Sequence, residues 1–238
     1  MLCSSFSLCN QSLQYLYLMD QKIALVVGAT GLVGTELVQL LLNDERFSLV
    51  KIFGRRTVGF QHQKLQEHVI DFENPAQWQQ LVTGDVLFSS LGTTLKQAKT
   101  KEAQYKVDHT YQYNAAKAAA ENKVPVYVLV SAAMASVDSR IFYSRMKGEL
   151  ERDIKELPFQ NIHIMQPGML DGDRKENRTG EKVGIAVLRF LNNLGLLKNQ
   201  KPIHVKTVAQ AMINVSFNKN NPVNTYTLRQ VFAAAENM

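Results

Sequence analysis

Three glycines at intervals of three constrain this chain more than any other feature. Gly28, Gly31 and Gly34 lie in the run Gly28-Ala29-Thr30-Gly31-Leu32-Val33-Gly34. The apolar stretch Lys22 to Val27 precedes the run, and Leu37, Val38, Leu41 and Leu42 follow it at helical spacing. Strand, glycine turn and helix in that order form the context in which a loop cradles a pyrophosphate. Without a Cβ, Gly28 and Gly31 allow a tight turn and close approach of a phosphate, and Gly34 lets the helix pack against the strand. The free N–H groups of the helix N-terminus add a partial positive charge. The plainer alternative is that the glycines serve the turn alone.

The rest of the chain repeats strand and helix. The sequence predicts strands at Leu49–Phe53, His68–Asp71, Asp85–Leu91, Val126–Val130 and Ile162–Met165, with a short one around Tyr226–Leu228. Helices are predicted over Lys101–Glu121, which lacks Gly and Pro, and over Ile141–Glu156, near Val183–Leu191 and near Val205–Phe217. Strands alternating with helices predict an α/β fold, a doubly wound parallel sheet of the Rossmann type with a small C-terminal substrate-side region. Ligands of such sheets bind beyond the carboxyl ends of the strands, where the motifs below all fall.

Composition excludes several chemistries. Of 238 residues, 45% are hydrophobic, enough for a core without disulfides. Both cysteines, Cys3 and Cys9, precede the first strand, leaving no thiol nucleophile or Cys-based metal site in the body. The five histidines lack ligand spacing, so no metal is expected. The net charge of +6 fits either a solvated surface or an anionic ligand, and no nucleic-acid module accompanies it. Met1 to Leu18 carries no Lys or Arg, unlike a secretory signal, and is too interrupted to span a membrane. It reads as a poorly ordered extension or as an upstream start misread at Met19, leaving one dinucleotide-binding domain over 19–238. The default location is the cytoplasm.

Cofactor choice is read after the second strand. NAD sites usually place an acid about 20 residues beyond the loop, to bind the ribose hydroxyls. Here stand Gly54-Arg55-Arg56. Guanidinium groups bind a 2′-phosphate through charge-assisted bonds, which favours NADP(H) over NAD(H), unless both arginines are simply solvated. Asp71, beside Phe72, is placed to accept from the adenine amino group or to cap a helix beginning near Pro75.

Tyr143 and Lys147 form a Y-x-x-x-K, whose two side chains face the same way on a helix. A free phenol has a pKa of about 10, and a nearby ammonium lowers it toward acid–base use at neutral pH. The motif is weak alone, but it opens the helix after the fifth strand, downstream of the glycine loop. Tyr143 is the candidate acid or base for a carbonyl or alcohol, with Lys147 also reaching the nicotinamide ribose. Ser131, ending the fifth strand, either polarises the substrate carbonyl or caps the strand.

Together these residues resemble an atypical short-chain dehydrogenase, in particular the Tat-interacting-protein-like oxidoreductase branch. The resemblance runs from about Lys22 to Val215. It rests on Gly28–Gly34, Gly54-Arg55-Arg56, Leu91-Gly92-Thr93-Thr94, Val107-Asp108, Tyr143–Glu149, Gln166-Pro167-Gly168 and the segment Asp173–Glu181. It implies a Rossmann fold, NADP(H), and Ser131, Tyr143 and Lys147 in catalysis. Leu91, Gly92 and Thr93 would line the cofactor, with Pro167 and Gly168 near the nicotinamide. Residues 171–184 would border the substrate mouth, where Arg174 and Arg178 either hold an acidic group or pair with neighbouring glutamates. Three positions depart from the pattern: Ala133 for a Ser or Thr, Asp108 for an Asn, and Gln166 for an Arg.

The expected function is hydride transfer between NADP(H) and a small carbonyl or alcohol; the alternative is a non-catalytic NADP(H)-binding regulator or sensor. Phosphorylating semialdehyde dehydrogenase chemistry needs a cysteine that the body lacks. Nucleotide-sugar epimerase or dehydratase activity stays open, although the chain after Gly168 is short for a sugar-nucleotide domain. The expected partner is a small molecule, not nucleic acid or membrane, and the chain is a monomer or a homodimer.

Overall fold

In the computed structural model, residues 21–171 and 202–236 are described. The N-terminal extension, the helix near Val183–Leu191 and the segment Asp173–Glu181 lie outside these residues. Strand β1 (Lys22–Val27) leads through the glycine loop into α1 (Leu32–Asn43), followed by β2 (Phe47–Gly54) and β3 (Leu65–Val69). Two single turns, Pro75–Gln77 and Gln79–Leu81, precede β4 (Val86–Ser89). Short α2 (Leu95–Ala98) and α3 (Lys101–Tyr105) then run through a π-helical turn (Lys106–Thr110) into α4 (Tyr111–Glu121). Next come β5 (Val126–Val130), α5 (Phe142–Lys155) and β6 (Asn161–Gln166). The chain closes with β7 (Leu170–Asp171), β8 (Ile203–His204), α6 (Val205–Val215), β9 (Val223–Thr227) and α7 (Arg229–Glu236).

Seven parallel strands form one sheet in the order β3-β2-β1-β4-β5-β6-β9. The chain winds outward from β1 to β3, then returns to β4 on the other side of β1. That reversal opens a crevice at the carboxyl ends of β1 and β4, the place where such sheets hold ligands. Alternation along the strands gives each face its own core. Ala24, Val26, Val50, Phe88 and Val128 pack under α1, α6 and α7. Leu25, Val27, Leu87, Tyr127 and Leu129 pack under α4 and α5. The buried alanines 115, 116, 118, 119 and 120 keep α4 close to the sheet.

Several boundaries differ from those the sequence predicts. The third strand runs Leu65–Val69, because the Asp71 carboxylate turns the chain by accepting from the Glu73 N–H at 3.0 Å. The helix over 101–121 is continuous but carries the π turn, which periodicity cannot reveal. Strand β9 begins at Val223, and α7 beyond it was unforeseen. Among the described residues no helix is long and apolar enough to cross a membrane.

Candidate cofactor and active site

The glycine loop is set by backbone contacts. Gly28 adopts φ +88°, and a Cβ there would lie 2.5 Å from the Leu91 nitrogen. A Cβ on Gly34 would lie 2.0 Å from the Gly28 carbonyl oxygen, so this glycine sets how closely α1 meets the loop. The Gly31 N–H donates to the Gly28 carbonyl at 2.9 Å and closes the turn. No side chain caps the N-terminus of α1, and no acid stands in its first turn. Ala29, Thr30, Leu32 and Val33 complete a loop whose N–H groups suit a pyrophosphate, so a nicotinamide dinucleotide fits this cradle.

At the outer end, Arg55 and Arg56 are exposed just beyond β2. Asp71 is occupied in its turn, accepting from the Glu73 backbone and the Asn74 side chain, while its carbonyl accepts from the Trp78 indole at 2.8 Å. Buried Phe72 stacks on Tyr111 with ring centroids 5.1 Å apart. Lys106 pairs with Glu73 at 2.7 Å, alongside the bond from the Tyr111 hydroxyl to the same carboxylate.

At the inner end, side chains do the building. The π turn aims Asp108 inward, where it is buried 3.8 Å from Lys147 Nζ on α5. Its second oxygen accepts from the Thr93 N–H at 2.8 Å, which ties the Leu91-Gly92-Thr93 loop to the pair. A Cβ on Gly92 would come within 3.3 Å of the same carboxylate. Burial pushes Asp108 up, against the Lys147 charge and the Thr93 N–H. Burial likewise pushes Lys147 down, against Asp108 and then Glu151. The Tyr143 phenol is pushed above its ordinary value, first by burial and then by Asp108. The residue is nonetheless 41% exposed, so solvent relieves much of the burial effect and Asp108 is the cause that remains. The lowering of the phenol by Lys147 that the sequence predicts is not borne out: the causes acting on Tyr143 are burial and Asp108, and both raise it.

Ser131 is buried at the end of β5, and its hydroxyl donates to Glu151 Oε1 at 2.5 Å. Gln166, ending β6, donates to both oxygens of the same carboxylate, at 2.9 and 3.0 Å. The Ala133 N–H donates to the Pro167 carbonyl at 3.0 Å, joining the loop after Ser131 to the Pro167–Gly168 turn. The structure therefore gathers Ser131, Lys147, Thr93 and the Pro167–Gly168 turn around α5. It leaves Arg55, Arg56, Asp71 and Phe72 at the far end of the crevice, and Tyr143 at its lip.

Two residues were not singled out from the sequence. Glu151 follows Lys147 by one helical turn, so a buried acid on the Tyr143 face was the available signal. Gly148 is needed because a Cβ there would meet the Ser136 carbonyl carbon at 2.3 Å; the loop after β5 crosses α5 at this point.

Comparison with known proteins agrees with the fold and redirects one expectation. Residues 23–130 match the family described as semialdehyde dehydrogenase, NAD binding domain. The solved structure of WbmH from Bordetella bronchiseptica, in complex with NAD+, is 16% identical with a TM-score of 0.66, over 87% of this chain and 75% of that one. A short-chain dehydrogenase/reductase superfamily protein from Agrobacterium tumefaciens gives 14% and 0.67, over 87% and 77%. Both likenesses concern the fold. Protein FMP52, mitochondrial, from Candida albicans is 32% identical over 79% of this chain and 85% of that relative. Its counterpart from Eremothecium gossypii is 39% identical over 72% and 75%. Both relatives are named mitochondrial, which overturns the cytoplasmic expectation, a default that rested on no positive signal. At this identity and coverage, the chain belongs to the FMP52 family, built on a Rossmann-type dinucleotide-binding fold.

Proposed function

We propose that this chain is an NADP(H)-dependent oxidoreductase of the atypical short-chain dehydrogenase type, acting on a small carbonyl or alcohol in the mitochondrion. The observation that carries the reading is the pairing of buried Lys147 with Asp108 one turn from Tyr143, at the same carboxyl end of the sheet as the uncapped glycine loop. Bound in that crevice, the dinucleotide would give or take the hydride. Tyr143, at the lip, gives a proton to the substrate oxygen or removes one. Asp108 fixes Lys147 and, through the Thr93 N–H, the loop expected along the cofactor. Arg55 and Arg56 favour the 2′-phosphate, since no acid stands beside them at the end of β2 to repel it. The ordered blocks in the sequence support the Tat-interacting-protein-like branch.

Calorimetric titration with NADPH and NADH tests the reading. NADPH is expected to bind the more tightly, and Arg55→Ala/Arg56→Ala to weaken it by about 2 kcal/mol, on the order of thirtyfold. Equal affinities for both nucleotides would remove the NADP(H) assignment, and binding of neither would remove the function. A second reading, a dinucleotide-binding regulator, is favoured by one observation: the Ser131 proton is held by Glu151 rather than offered to a substrate. NADPH binding without turnover across a carbonyl panel would select it.

A further inference from the structure

Among the described residues eight large hydrophobic side chains are exposed, and four of them follow the carboxyl ends of the neighbouring strands β4 and β5. Leu95 opens α2, Met134 and Val137 lie in the loop after β5, and Tyr143 stands at the start of α5. They are 46, 41, 39 and 41% exposed. From Ala132 to Ala135 the loop carries no polar side chain, and exposed Asp138 and Arg140 come after it. An apolar surface rimmed by charge and set around an acid–base residue has the form of a ligand groove.

The backbone holds this surface in place. The Ala135 N–H donates to the Ala132 carbonyl at 3.2 Å, closing a turn in which Met134 takes φ +64°. A left-handed conformation is rare for a long side chain, and it persists only where the surroundings over-determine it, commonly at ligand sites. Those surroundings are the bond from Ala133 to Pro167 and a second one, from the Ser136 N–H to the Ser144 carbonyl at 3.0 Å. The second ties the loop to the turn of α5 that carries Tyr143. Across the mouth, Lys101 Nζ lies 5.6 Å from the Phe142 ring centroid, which brings the segment after Leu95 to the start of the same helix.

We propose that this surface binds the non-reacting part of the substrate, and that the substrate is apolar: a carbonyl or alcohol carrying an alkyl chain or hydrocarbon ring, without a carboxylate or phosphate. A molecule whose oxygen meets Tyr143 lays its remaining atoms against the side chains beside that phenol. Hydrocarbon placed there leaves water, worth about fourfold in affinity for each fully buried methylene. This inference rests on the oxidoreductase reading for the role of Tyr143 and names the substrate class of that same site.

The test titrates unreactive carbonyl compounds, butanamide, hexanamide and octanamide, by calorimetry into the full chain with and without saturating NADPH. Affinity is expected to rise about tenfold from butanamide to hexanamide. Adipamic acid, which is hexanamide with its terminal methyl replaced by a carboxylate, should bind about tenfold more weakly than hexanamide. Asparagine adopts the left-handed conformation readily, so Met134→Asn should fold and bind NADPH as wild type does while losing most of the dependence on chain length. Val137→Ser should lose part of it. NADPH binding with no rise along the amide series, tighter binding of adipamic acid, or a wild-type slope in both variants would overturn the inference and leave the oxidoreductase reading intact. A rise along the series in a chain that binds neither NADPH nor NADH would overturn that reading and keep the apolar ligand class; absence of both would overturn both. Self-association of wild type in sedimentation that Met134→Asn abolishes would assign the surface to a second copy of the chain and overturn the inference.

Discussion

The glycine loop and the inner end of the crevice are made from different materials. The glycine loop is backbone throughout: Gly28 at φ +88°, Gly34 against a carbonyl, and the uncapped start of α1. The inner end is a chain of buried polar side chains, Asp108–Lys147 and Glu151 with Ser131 and Gln166, drawn from four separate segments. A backbone site is intolerant of added atoms, and a side-chain site is intolerant of changed charge. One can be written as a local motif and the other cannot.

The sharpest way to break the comparison is to add one methyl group at each end. Gly34→Ala forces a Cβ to within 2.0 Å of a carbonyl oxygen. We expect about 4 kcal/mol of lost stability and loss of NADPH binding, read by urea unfolding and calorimetry. Gly148→Ala pushes on the backbone at Ser136 and should cost about 3 kcal/mol, through displacement of the loop after β5. Here NADPH binding should largely survive while any turnover falls. If both variants lose binding equally, the two ends are one unit.

Acid would blur the contrast through a residue on the other face of the sheet. His163 in β6 is fully buried, its Nδ1 3.4 Å from the Tyr226 hydroxyl, and burial lowers it to about 4. The unfolded chain takes up this proton near pH 6.5 and the folded chain only near 4, so stability falls as pH drops through that window. The loss should reach about 3 kcal/mol, and His163→Phe should flatten it in a series of urea melts. Ligand-binding changes that persist with pH in that variant are then expected of the buried Asp108–Lys147 pair. The smallest effect is expected at Thr100, whose hydroxyl caps α3 by accepting from the Ala103 N–H at 3.1 Å. Thr100→Ala should cost about 1 kcal/mol in thermal unfolding, with the dinucleotide end unaffected.

The same contrast explains what could be read in advance. The glycine loop, the order of strands and helices and the Y-x-x-x-K were readable because each is a short pattern with a local physical cause. Val126–Val130 matches its predicted bounds for that reason. Asp108 was noticed only as a departure from a family pattern, and its contact with Lys147 depends on a π turn that no periodicity announces. Ser131 was placed correctly at the end of β5, yet the direction of its proton depends on Glu151, 20 positions further along the chain. Location in the cell was misread because the cytoplasmic default rested on no positive signal.

The π turn at Lys106–Thr110 has a consequence for the long helix as a whole. One additional residue in a turn rotates everything beyond it by about 100° relative to an unbroken α-helix. The helix can therefore satisfy two customers that no single phase would serve. Before the shift, Gln104 holds the loop around Thr93 by donating to the Thr93 carbonyl; within it, Asp108 and His109 turn toward α5; after it, the alanine stripe lies flat on the sheet. Removing one residue from this turn would straighten the helix and force a choice, alanines on the core or the carboxylate at Lys147. The irregularity works as a swivel, letting one rod be both a structural rib and an arm of the active site.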